Sequence, residues 1–532
     1  MIERELNLHV PKAARAAIGK ALRAQKAKKQ LLHACYYDTP ARTLAHAKVA
    51  LRLRLEDGQW MQTLKSPGAD PLSRIELNHP RPEPSLDLSV YEDDSVRTIF
   101  SECQSQLALR FETRVTRLTH TVESPDAVIE IAYDQGSVCA DGLELPISDI
   151  EFELISGDSA SMFDLGEQWL RQYGLILDLR SKAERGDALA KLAQARHEPG
   201  YPALNRKTAA QEQAEHLAKP RRAATATLTP GMSSAQAYVA SANECLTQII
   251  RNATFVAGVD SNQAADALQS EHLHQLRVGI RRLRSCWKLF DSWVAPVDAA
   301  LIATLQENFR LFGETRDLDV VKEAIAPKLD QANMPACTLP ATAQRLTASR
   351  DAAASPDFQS ALLGLLKDLV ALGDANRAER NAPRRRKKRD DRDTVTTSPP
   401  DAAARLKRAL IKRLNSWLKN ITTHGPHFAH LPIEEQHDLR KRVKRLRYSL
   451  DFCEGLLADQ DLEPWRNGLV RAQQLLGELN DFYIADHVYQ TLTPSQPEAW
   501  FAVGWLRAMQ HHHKAHAQTL FKELTELEPL EA

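Results

Sequence analysis

The chain has 532 residues, too many for one hydrophobic core, and this length corresponds to about three or four folding units. Lys plus Arg and Asp plus Glu both number 69, so any anion-binding surface must come from local clustering of charge. The seven cysteines have no metal-ligand spacing, the N-terminus begins directly on a charged alternating pattern, and no apolar run reaches membrane-spanning length. These features disfavour a secreted or membrane protein and predict a cytoplasmic one.

Charged and apolar residues alternate along several segments of the first 190 residues, which predicts β-strands. An Ala/Lys/Arg-rich segment at residues 12–30 interrupts them and predicts a helix. The predicted strands follow Ile2, flank the turn at Asp57-Gly58, and then occupy Arg74–Asn78, Phe111–Val122, Val128–Asp134 and Asp149–Leu154.

The dipeptide Asp57-Gly58 is a strong signal for a two-residue hairpin turn. Such a turn pairs Arg54 with Met61 and Arg52 with Thr63, and it places Arg52, Arg54 and Lys65 on one face of the hairpin. The basic side chains of this hairpin are therefore expected to converge.

Other strands carry acidic residues on one face, as Glu151 and Glu153 show. Many antiparallel strands, each with one charged face, predict a closed barrel whose lumen holds both signs of charge. Clustered carboxylates hold hard divalent cations, and Arg and Lys bind phosphate oxygens. An ordinary sheet with a salt-bridged solvated face explains any single strand better, but it explains the set of five or six strands less well.

These residues resemble the CYTH domain of the triphosphate tunnel metalloenzymes, with motifs in the family order from Ile2 to about Leu192. The matching motifs are Glu3-x-Glu5, Tyr37-Asp38-Thr39-Pro40, Arg52-x-Arg54, Gln62-x-x-Lys65, Arg117, Glu130-x-x-x-Asp134-x-Gly136, Glu151-x-Glu153 and Ser181-Lys182-x-x-Arg185-Gly186.

The resemblance implies an eight-stranded tunnel that hydrolyses the triphosphate of a linear substrate to diphosphate and phosphate. It implies Mg²⁺ or Mn²⁺ ligands at Glu3, Glu5, Glu130, Glu151 and Glu153. It implies triphosphate binding by Arg52, Arg54, Lys65, Arg117, Lys182 and Arg185, with Glu3, Glu5, Arg52, Arg54 and Lys65 in the catalytic set. One position departs from the family pattern: Asn7 stands where the opening motif has Lys, which predicts weaker transition-state stabilisation.

The composition divides the chain into a tunnel domain (residues 1–195), a linker (196–230) and a helical domain (231–530). The linker is rich in Ala, Pro, Lys and Arg, and it is predicted to be a tether. Helical periodicity then dominates in two halves, 231–381 and 401–530, joined by a charged loop at 382–400 that is predicted to be disordered.

A basic helical stretch occurs once in each half of the helical domain. His274 and Arg277 open the first copy, and His437 and Arg440 open the second. A second pair of segments, ending in Asp317 and Asp481, repeats in the same order. Two matches in order indicate an internal duplication, which predicts two four-helix bundles. The fold class is therefore α+β multidomain, with an N-terminal barrel and an all-α duplicated half.

The duplicated segments resemble the CHAD domain, the conserved-histidine α-helical domain, from about Ser233 to Leu527. The resemblance implies a basic channel that binds long-chain polyphosphate through His274, Arg277, Arg281, Arg284, His437, Arg440, Lys444 and Arg447, and Lys288 lies on the same helical face. A solvated basic face explains one such helix, but recurrence of the pattern favours a binding channel. Metal ligation by the two histidines is disfavoured by their cationic neighbours.

Four histidines, His511 to His513 and His516, cluster in the last predicted helix. A Zn²⁺ site is conceivable there, but no carboxylate or cysteine is near in sequence, so a solvated face is favoured.

Three functions remain open at the level of sequence. The favoured one is a metal-dependent inorganic triphosphatase that also binds polyphosphate, in the cytoplasm or with polyphosphate granules. The second is a non-catalytic polyphosphate-binding protein, and the third is adenylate cyclisation or organic triphosphate hydrolysis. Nucleic acid is disfavoured as a partner because the basic helices, Tyr448 excepted, lack interleaved aromatic residues for base stacking.

Overall fold

The computed structural model describes residues 2–199, 201, 209–261, 264–340, 343–381 and 399–531. These residues form two compact units. The first contains the chain up to Arg221 together with Ile250–His272 and Arg350–Ala371, and the second contains the remainder. The charged connection predicted at 382–400 lies almost wholly outside the described residues.

The first unit contains one antiparallel sheet with the order β5-β4-β3-β2-β6-β7-β8-β1-β9, in which β5 also pairs with β1. The pairing of β5 with β1 closes eight strands into a barrel, and the short β9 adds to the end of β1. The predicted barrel is therefore confirmed. The strands are β1 Ile2–His9, β2 Lys28–Asp38, β3 Ala50–Glu56, β4 Gln59–Pro67, β5 Ser73–Arg81, β6 Ala108–Glu123, β7 Ala127–Ala140, β8 Leu143–Gly157 and β9 Ile176–Leu177.

The turn between β3 and β4 has the geometry that the sequence predicts. Asp57 and Gly58 have φ values of 46° and 84°, the left-handed conformation that a two-residue hairpin turn requires. The register pairs Arg52 with Thr63, and the predicted pairing of Arg54 is confirmed as well. Because direct partners point to the same side of a sheet, the position of every charged residue in the barrel follows from these registers.

Helices close and flank the barrel. The helix from Lys182 approaches the inner wall closely, since a Cβ on Gly186 would lie 2.2 Å from the Phe111 ring. That ring stacks on Tyr36 at 4.5 Å between centroids. This helix therefore fills one end of the interior with apolar side chains. The helices of this region are α1 Arg15–Ala24, α2 Thr43–His46, α3 Asp94–Cys103, α4 Ser159–Tyr173, α5 Lys182–Arg196 and α6 Ala209–Leu217.

The rest of the described chain is helical, and no helix in it is long and apolar enough to cross a membrane. A π-helical segment, Val321–Ile325, continues α9 into α10. The helices are α7 Ser234–Val256, α8 Asp266–Phe290, α9 Ala299–Val320, α10 Ala326–Gln331, α11 Ala343–Ala354, α12 Pro356–Asn381, α13 Pro399–His424, α14 Ile433–Cys453, α15 Glu463–Leu492 and α16 Ala499–Thr525.

The apolar residues along one side of each basic helix are buried. Leu276, Ile280 and Leu283 of α8 are at most 2% exposed, and Leu439 and Val443 of α14 are at most 1% exposed. Each helix therefore turns most of its basic residues away from its own core, as amphipathic packing requires.

Several predicted boundaries are wrong. The helix predicted at residues 12–30 ends at Ala24, because Lys28 already begins β2. The predicted tether contains α6, whose Ala214 packs in a small cluster with Phe255. Burial of these residues in tertiary contacts outweighs the local composition.

Candidate functional site

Three carboxylates lie side by side on the inner wall of the barrel. The registers place Glu130 of β7 opposite Glu153 of β8, and Glu153 opposite Glu5 of β1. Directly opposed like charges destabilise a sheet unless a cation lies between them. Burial raises the pKa of Glu153, and the charges of Glu130 and Glu5 add to the effect. We call Glu5, Glu130 and Glu153 the acidic row.

A lysine borders the acidic row on the opposite wall. Lys65 Nζ lies 2.6 Å from a carboxylate oxygen of Glu76, 3.3 Å from Glu3 and 3.9 Å from Glu5. Arg52 contacts Glu76 at 3.3 Å. The structure thus brings together four of the five residues predicted to be catalytic.

The fifth predicted catalytic residue, Arg54, lies next to Arg52 on the inner face. Its guanidinium pairs with Glu56. Burial lowers the pKa of Arg54 to about 10, and the neighbouring charge of Arg52 contributes. Arg54 stays protonated at neutral pH, but its incompletely compensated charge favours an anion.

Glu3 and Glu76 share a hydrogen bond, and their pKa values move apart. Burial raises the pKa of Glu3 to about 8, and the contact with Glu76 acts in the same direction. Burial opposes ionisation of Glu76 too, but Glu3, Lys65 and Arg52 together lower its pKa to about 2. Glu76 is therefore the ionised member of the pair at neutral pH.

A second charged network lies along the lumen. Arg117 donates two parallel hydrogen bonds of 2.7 Å to Asp134 and one of 2.8 Å to Glu151. Lys182, at the start of α5, contacts the same two acids at 2.8 and 2.5 Å. Burial opposes ionisation of Asp134, but the charges of Lys182 and Arg117 lower its pKa below the usual range. Two predicted phosphate ligands are therefore held in place by two acids.

Arg185 does not share this arrangement. Its guanidinium is 3% exposed, and it contacts Asp149 at 2.8 Å, the carbonyl oxygen of Pro146 at 3.1 Å and Asp260 at 3.5 Å. Both terminal nitrogens of its guanidinium contact acceptors within the protein, while its buried Nε has no hydrogen-bond partner. The structure therefore favours a positioning role for Arg185 over direct contact with triphosphate.

The acidic row fits a divalent cation by its chemistry and register. Carboxylate oxygens are the ligands that Mg²⁺ and Mn²⁺ prefer. Among the described residues, however, no three lumen carboxylates have oxygen atoms within 4.8 Å of one another. The fit therefore rests on opposed like charges. Glu3 and Glu151 lie outside these opposed acidic pairs, and each contacts a lysine more closely than Glu5 does.

Asn7, the position that departs from the family pattern, lies opposite Glu151. Its Nδ2 atom donates to the carbonyl oxygen of Arg180 at 3.4 Å, while its buried Oδ1 atom has no hydrogen-bond partner. Glu151 already contacts Lys182 and Arg117, so positive charge reaches this part of the lumen from other elements.

Three lumen acids were not nominated from the sequence: Glu76, Asp134 and Asp149. Each lies directly opposite a charged or polar inner residue, as Glu76 lies opposite Lys65. The sequence already contained the information for Asp149, because it alternates with Glu151 and Glu153 along one strand and therefore shares their face. What the sequence lacked was the register of β4 with β5 and of β6 with β7.

In the second unit, four of the predicted polyphosphate ligands gather from both basic helices: Arg277 and Arg281 from α8, and Arg440 and Lys444 from α14. Burial lowers the pKa of Lys444 to about 6, and the charges of Arg440, Arg281 and Arg277 lower it further. Burial and Arg281 also lower the pKa of Arg440. These cations repel one another, and we call them the basic cluster.

Two acids partly compensate the basic cluster. Asp481 raises the pKa of Lys444 and Arg440, and Asp317 raises that of Arg440. They are the same two acids that end the second duplicated motif. In addition, a Cβ on Gly313 would lie 2.6 Å from the Arg277 guanidinium. The glycine of the second duplicated motif therefore leaves space for an arginine of the basic helix α8.

The remaining predicted polyphosphate ligands lie around the basic cluster. His437 lines a small cleft with Arg440 and Tyr483, and burial and Arg440 lower its pKa. His274 is half-buried on α8, and Arg284 and Lys288 are exposed on the same helix. Arg447 donates to Gln473 of α15 at 2.6 Å. This hydrogen bond holds its side chain against a neighbouring helix of its own half of the helical domain.

Arg282 has a structural role that the sequence did not reveal. It is 1% exposed and donates to Gln248 Oε1 at 2.7 Å and to the carbonyl oxygen of Ala224 at 2.6 Å. Its guanidinium also lies over the Phe452 ring. Arg277, Arg281 and Arg284 are spaced four and three residues apart and share one helical face, whereas Arg282 does not fit this spacing. That difference is the feature of the sequence that could have revealed its separate role.

The histidine cluster of α16 has one acidic neighbour that sequence spacing could not show. Glu478 of α15 lies 3.1 Å from Nε2 of His513, and His513 Nδ1 lies 3.0 Å from the carbonyl oxygen of Met509. The described residues contain no group of three metal-ligating atoms at this place, and His513 packs against Phe482. The arrangement is that of a hydrogen-bonded core histidine.

A closed eight-stranded antiparallel barrel with acids and bases on its inner wall, followed by duplicated basic helices, agrees with two family models. Residues 1–186 match the CYTH domain, and residues 240–490 match the CHAD domain. The chain therefore combines a CYTH domain with a CHAD domain, as the sequence motifs predict.

The chain is 37% identical over 157 residues to an inorganic triphosphatase of Haemophilus influenzae, a match that covers 28% of this chain and 44% of that protein. The chain is also similar to the CHAD domain from the plant Ricinus communis, with 25% identity, a TM-score of 0.44, and coverage of 59% and 99%. A Hippeastrum protein for which a dominant triphosphatase activity is described matches with 17% identity, a TM-score of 0.26, and coverage of 38% and 99%. These TM-scores are low, so the domain assignment rests on the family models.

Proposed function

We propose that the barrel hydrolyses inorganic triphosphate to diphosphate and phosphate with Mg²⁺ or Mn²⁺, and that the helical domain binds long-chain polyphosphate. The observation that carries the proposal is the acidic row facing a set of lumen cations in one closed barrel. The similarity to an inorganic triphosphatase supports it, although the chain spans less than half of that relative.

The residues of the lumen have separable roles in this reaction. Arg52, Arg54 and Lys65 on one wall, Arg117 on another, and Lys182 at the start of α5 would bind phosphoryl oxygens and orient the chain. Water attacks a terminal phosphorus, the bond from that phosphorus to the bridging oxygen breaks, and diphosphate leaves with the electron pair. The fixed cations stabilise negative charge on the leaving diphosphate.

The acidic row would hold the divalent cation, which supplies charge neutralisation between phosphate oxygens when bound. Glu5, Glu130 and Glu153 are the residues we assign to this task. Lys65 contacts Glu5 and Glu3. The Glu5 end of the acidic row therefore lies beside one of the residues that we propose bind phosphate.

The experiment is a phosphate-release assay with the full chain, Mg²⁺ or Mn²⁺, and tripolyphosphate, ATP, thiamine triphosphate or long polyphosphate. We expect tripolyphosphate to be the preferred substrate and release to be lost in the Glu151→Ala, Glu153→Ala double variant. Release from the wild type no greater than from that control would contradict the proposal. Formation of cyclic AMP from ATP as the main reaction would favour adenylate cyclisation instead.

Polyphosphate binding is proposed from the basic cluster, whose cations come from two copies of one helix. A line of fixed cations suits a repeating polyanion, and aromatic residues for base stacking are few. We expect long polyphosphate to remain bound in excess DNA, whereas preferential binding to DNA would overturn this assignment. The proposed location is the cytoplasm, where polyphosphate granules would supply the polymer.

A further inference from the structure

Three metal-ligating side chains meet on the outer wall of the barrel. His33 and Cys35 alternate along β2, and the register places Cys35 directly opposite Glu112 of β6. The inner residues of β2 are the buried Leu32, Ala34 and Tyr36, so His33 and Cys35 face outward. The group is therefore on the other side of the wall from the acidic row.

The three ligand atoms have nearly the spacing that a tetrahedral metal imposes. His33 Nε2 lies 3.3 Å from Glu112 Oε1, and Cys35 Sγ lies 3.8 Å from Glu112 Oε1 and 3.9 Å from His33 Nε2. Zn²⁺ bond lengths and a tetrahedral angle give about 3.3 Å between nitrogen and oxygen and about 3.6 Å from sulfur to either. A shift of a few tenths of an ångström in the Cys35 thiol completes the geometry.

We propose that His33, Cys35 and Glu112 form a Zn²⁺ site on the outer wall, with a water molecule as the fourth ligand. Sulfur and imidazole ligands select Zn²⁺ over the Mg²⁺ or Mn²⁺ expected in the lumen. The His33 side chain is 44% exposed and that of Glu112 is 21% exposed, so an ion and its water can enter from solvent.

The neighbours of the group support this assignment. Arg114 donates to the second carboxylate oxygen of Glu112 at 2.7 Å, which holds that carboxylate with Oε1 toward His33 and Cys35. Such contacts orient metal ligands. Among the described residues, this is the one group of three metal-ligating atoms that all lie within 4.8 Å of one another.

A metal at this position would clamp β2 to β6. The same two strands carry Tyr36 and Arg117 on the inner wall, so the site would stiffen the wall that supports the phosphate ligands. Binding to the folded state alone raises thermal stability by an amount that grows with the logarithm of the free metal concentration once that concentration exceeds Kd. The effect does not depend on whether the lumen is catalytic.

Cobalt is the probe, because Co²⁺ substitutes for Zn²⁺ and has visible absorption. The full chain, stripped of metal with a chelator, is titrated with Co²⁺. We expect tetrahedral d–d bands and a sulfur-to-cobalt charge-transfer band at one equivalent, both removed by added Zn²⁺. Zn²⁺ should also raise the melting temperature of the wild type.

Two controls separate this site from others. Cys337→Ala removes a partly buried thiol elsewhere, and Glu153→Gln changes the acidic row; both should keep the cobalt bands. Cys35→Ala should lose the charge-transfer band, and His33→Ala should lose tight binding while remaining folded by circular dichroism. Absence of the charge-transfer band in the wild type, or its persistence in folded Cys35→Ala, would overturn the proposal.

Discussion

Lys444 is the residue whose charge depends most on what binds beside it. Burial and three neighbouring arginines lower its pKa to about 6, so the amine is largely neutral in the free protein at pH 7.5. A polyanion in the basic cluster would favour the ammonium form and raise this pKa. Binding is then coupled to uptake of a proton.

We predict that polyphosphate binding at pH 7.5 takes up a proton, and that affinity falls as pH rises above 6. Below pH 6 Lys444 is already protonated before polyphosphate binds. Above pH 6 it must acquire a proton on binding, and the free energy of this protonation lowers the affinity. The loss is at most about tenfold per pH unit for one proton. Calorimetry in buffers of different ionisation enthalpy measures the uptake.

The matched control is Lys441, which is exposed on the same helix and pairs with Asp438 at 2.9 Å. Lys441→Ala should bind with unchanged proton uptake, and Lys444→Ala should bind more weakly with none. Equal uptake in both variants would show that another group titrates.

Asn7 tests whether the barrel has lost catalysis. Its neighbour Glu151 already contacts Lys182 and Arg117, so we expect an active wild type. We predict that Asn7→Lys changes kcat/KM for tripolyphosphate by less than about tenfold, whereas loss of one essential electrostatic donor costs about 100-fold to 1000-fold. Asn7→Met controls for size without charge. A near-silent wild type that gains about 100-fold from Asn7→Lys alone would favour the non-catalytic alternative.

At the scale of the element, α8 carries two arginines with opposite roles two residues apart within one turn. Arg282 is buried and supplies donors to Gln248 and Ala224, while Arg284 is exposed. The helix therefore contributes one arginine to the core and carries others that we propose bind the polyanion.

We predict that Arg282→Ala lowers the free energy of unfolding by roughly 2–4 kcal/mol, because two buried acceptors lose their donor. Arg284→Ala should change it by less than about 0.5 kcal/mol and weaken polyphosphate binding instead. Denaturant unfolding and a binding titration on both variants distinguish the roles. Equal destabilisation by the two substitutions would contradict the assignment of Arg282 to the core.

The sequence predicted a structural element correctly where the residues of that element determine its conformation. Asp57-Gly58 determined the β3 to β4 turn and thereby the shared face of Arg52 and Lys65. It did not predict Glu76 as the partner of Lys65, because that contact needs the register of β4 with β5, which no local signal specifies. Nor could it predict the partners of Arg185, since Asp260 lies 75 residues away along the chain.

The position of Arg282 illustrates the same limit for helices. Helical periodicity placed it between the two faces of α8, and only the approach of α7 makes it a core residue. Likewise, the spacing of His511 to His516 gave no sign of Glu478, which comes from another helix.

At the scale of the whole molecule, zero net charge conceals two separate concentrations of charge. In the barrel, acids and bases alternate around one lumen, which suits a short phosphate chain together with a metal. In the duplicated helices, the four cations of the basic cluster outnumber Asp317 and Asp481, the two acids that raise their pKa values, which suits a longer polymer. We therefore propose that the barrel hydrolyses triphosphate and that the helical domain binds the polymer.

The most direct test is the rate of phosphate release from tripolyphosphate by the full chain carrying Glu153→Gln, beside the Arg281→Ala, Arg440→Ala double variant. The account predicts a loss of at least about 100-fold for Glu153→Gln, with polyphosphate binding retained. The arginine variant should show a rate within about twofold of the wild type, and weakened polyphosphate binding, because its residues only hold the polymer. A Glu153→Gln variant that hydrolyses tripolyphosphate as fast as the wild type would contradict the account.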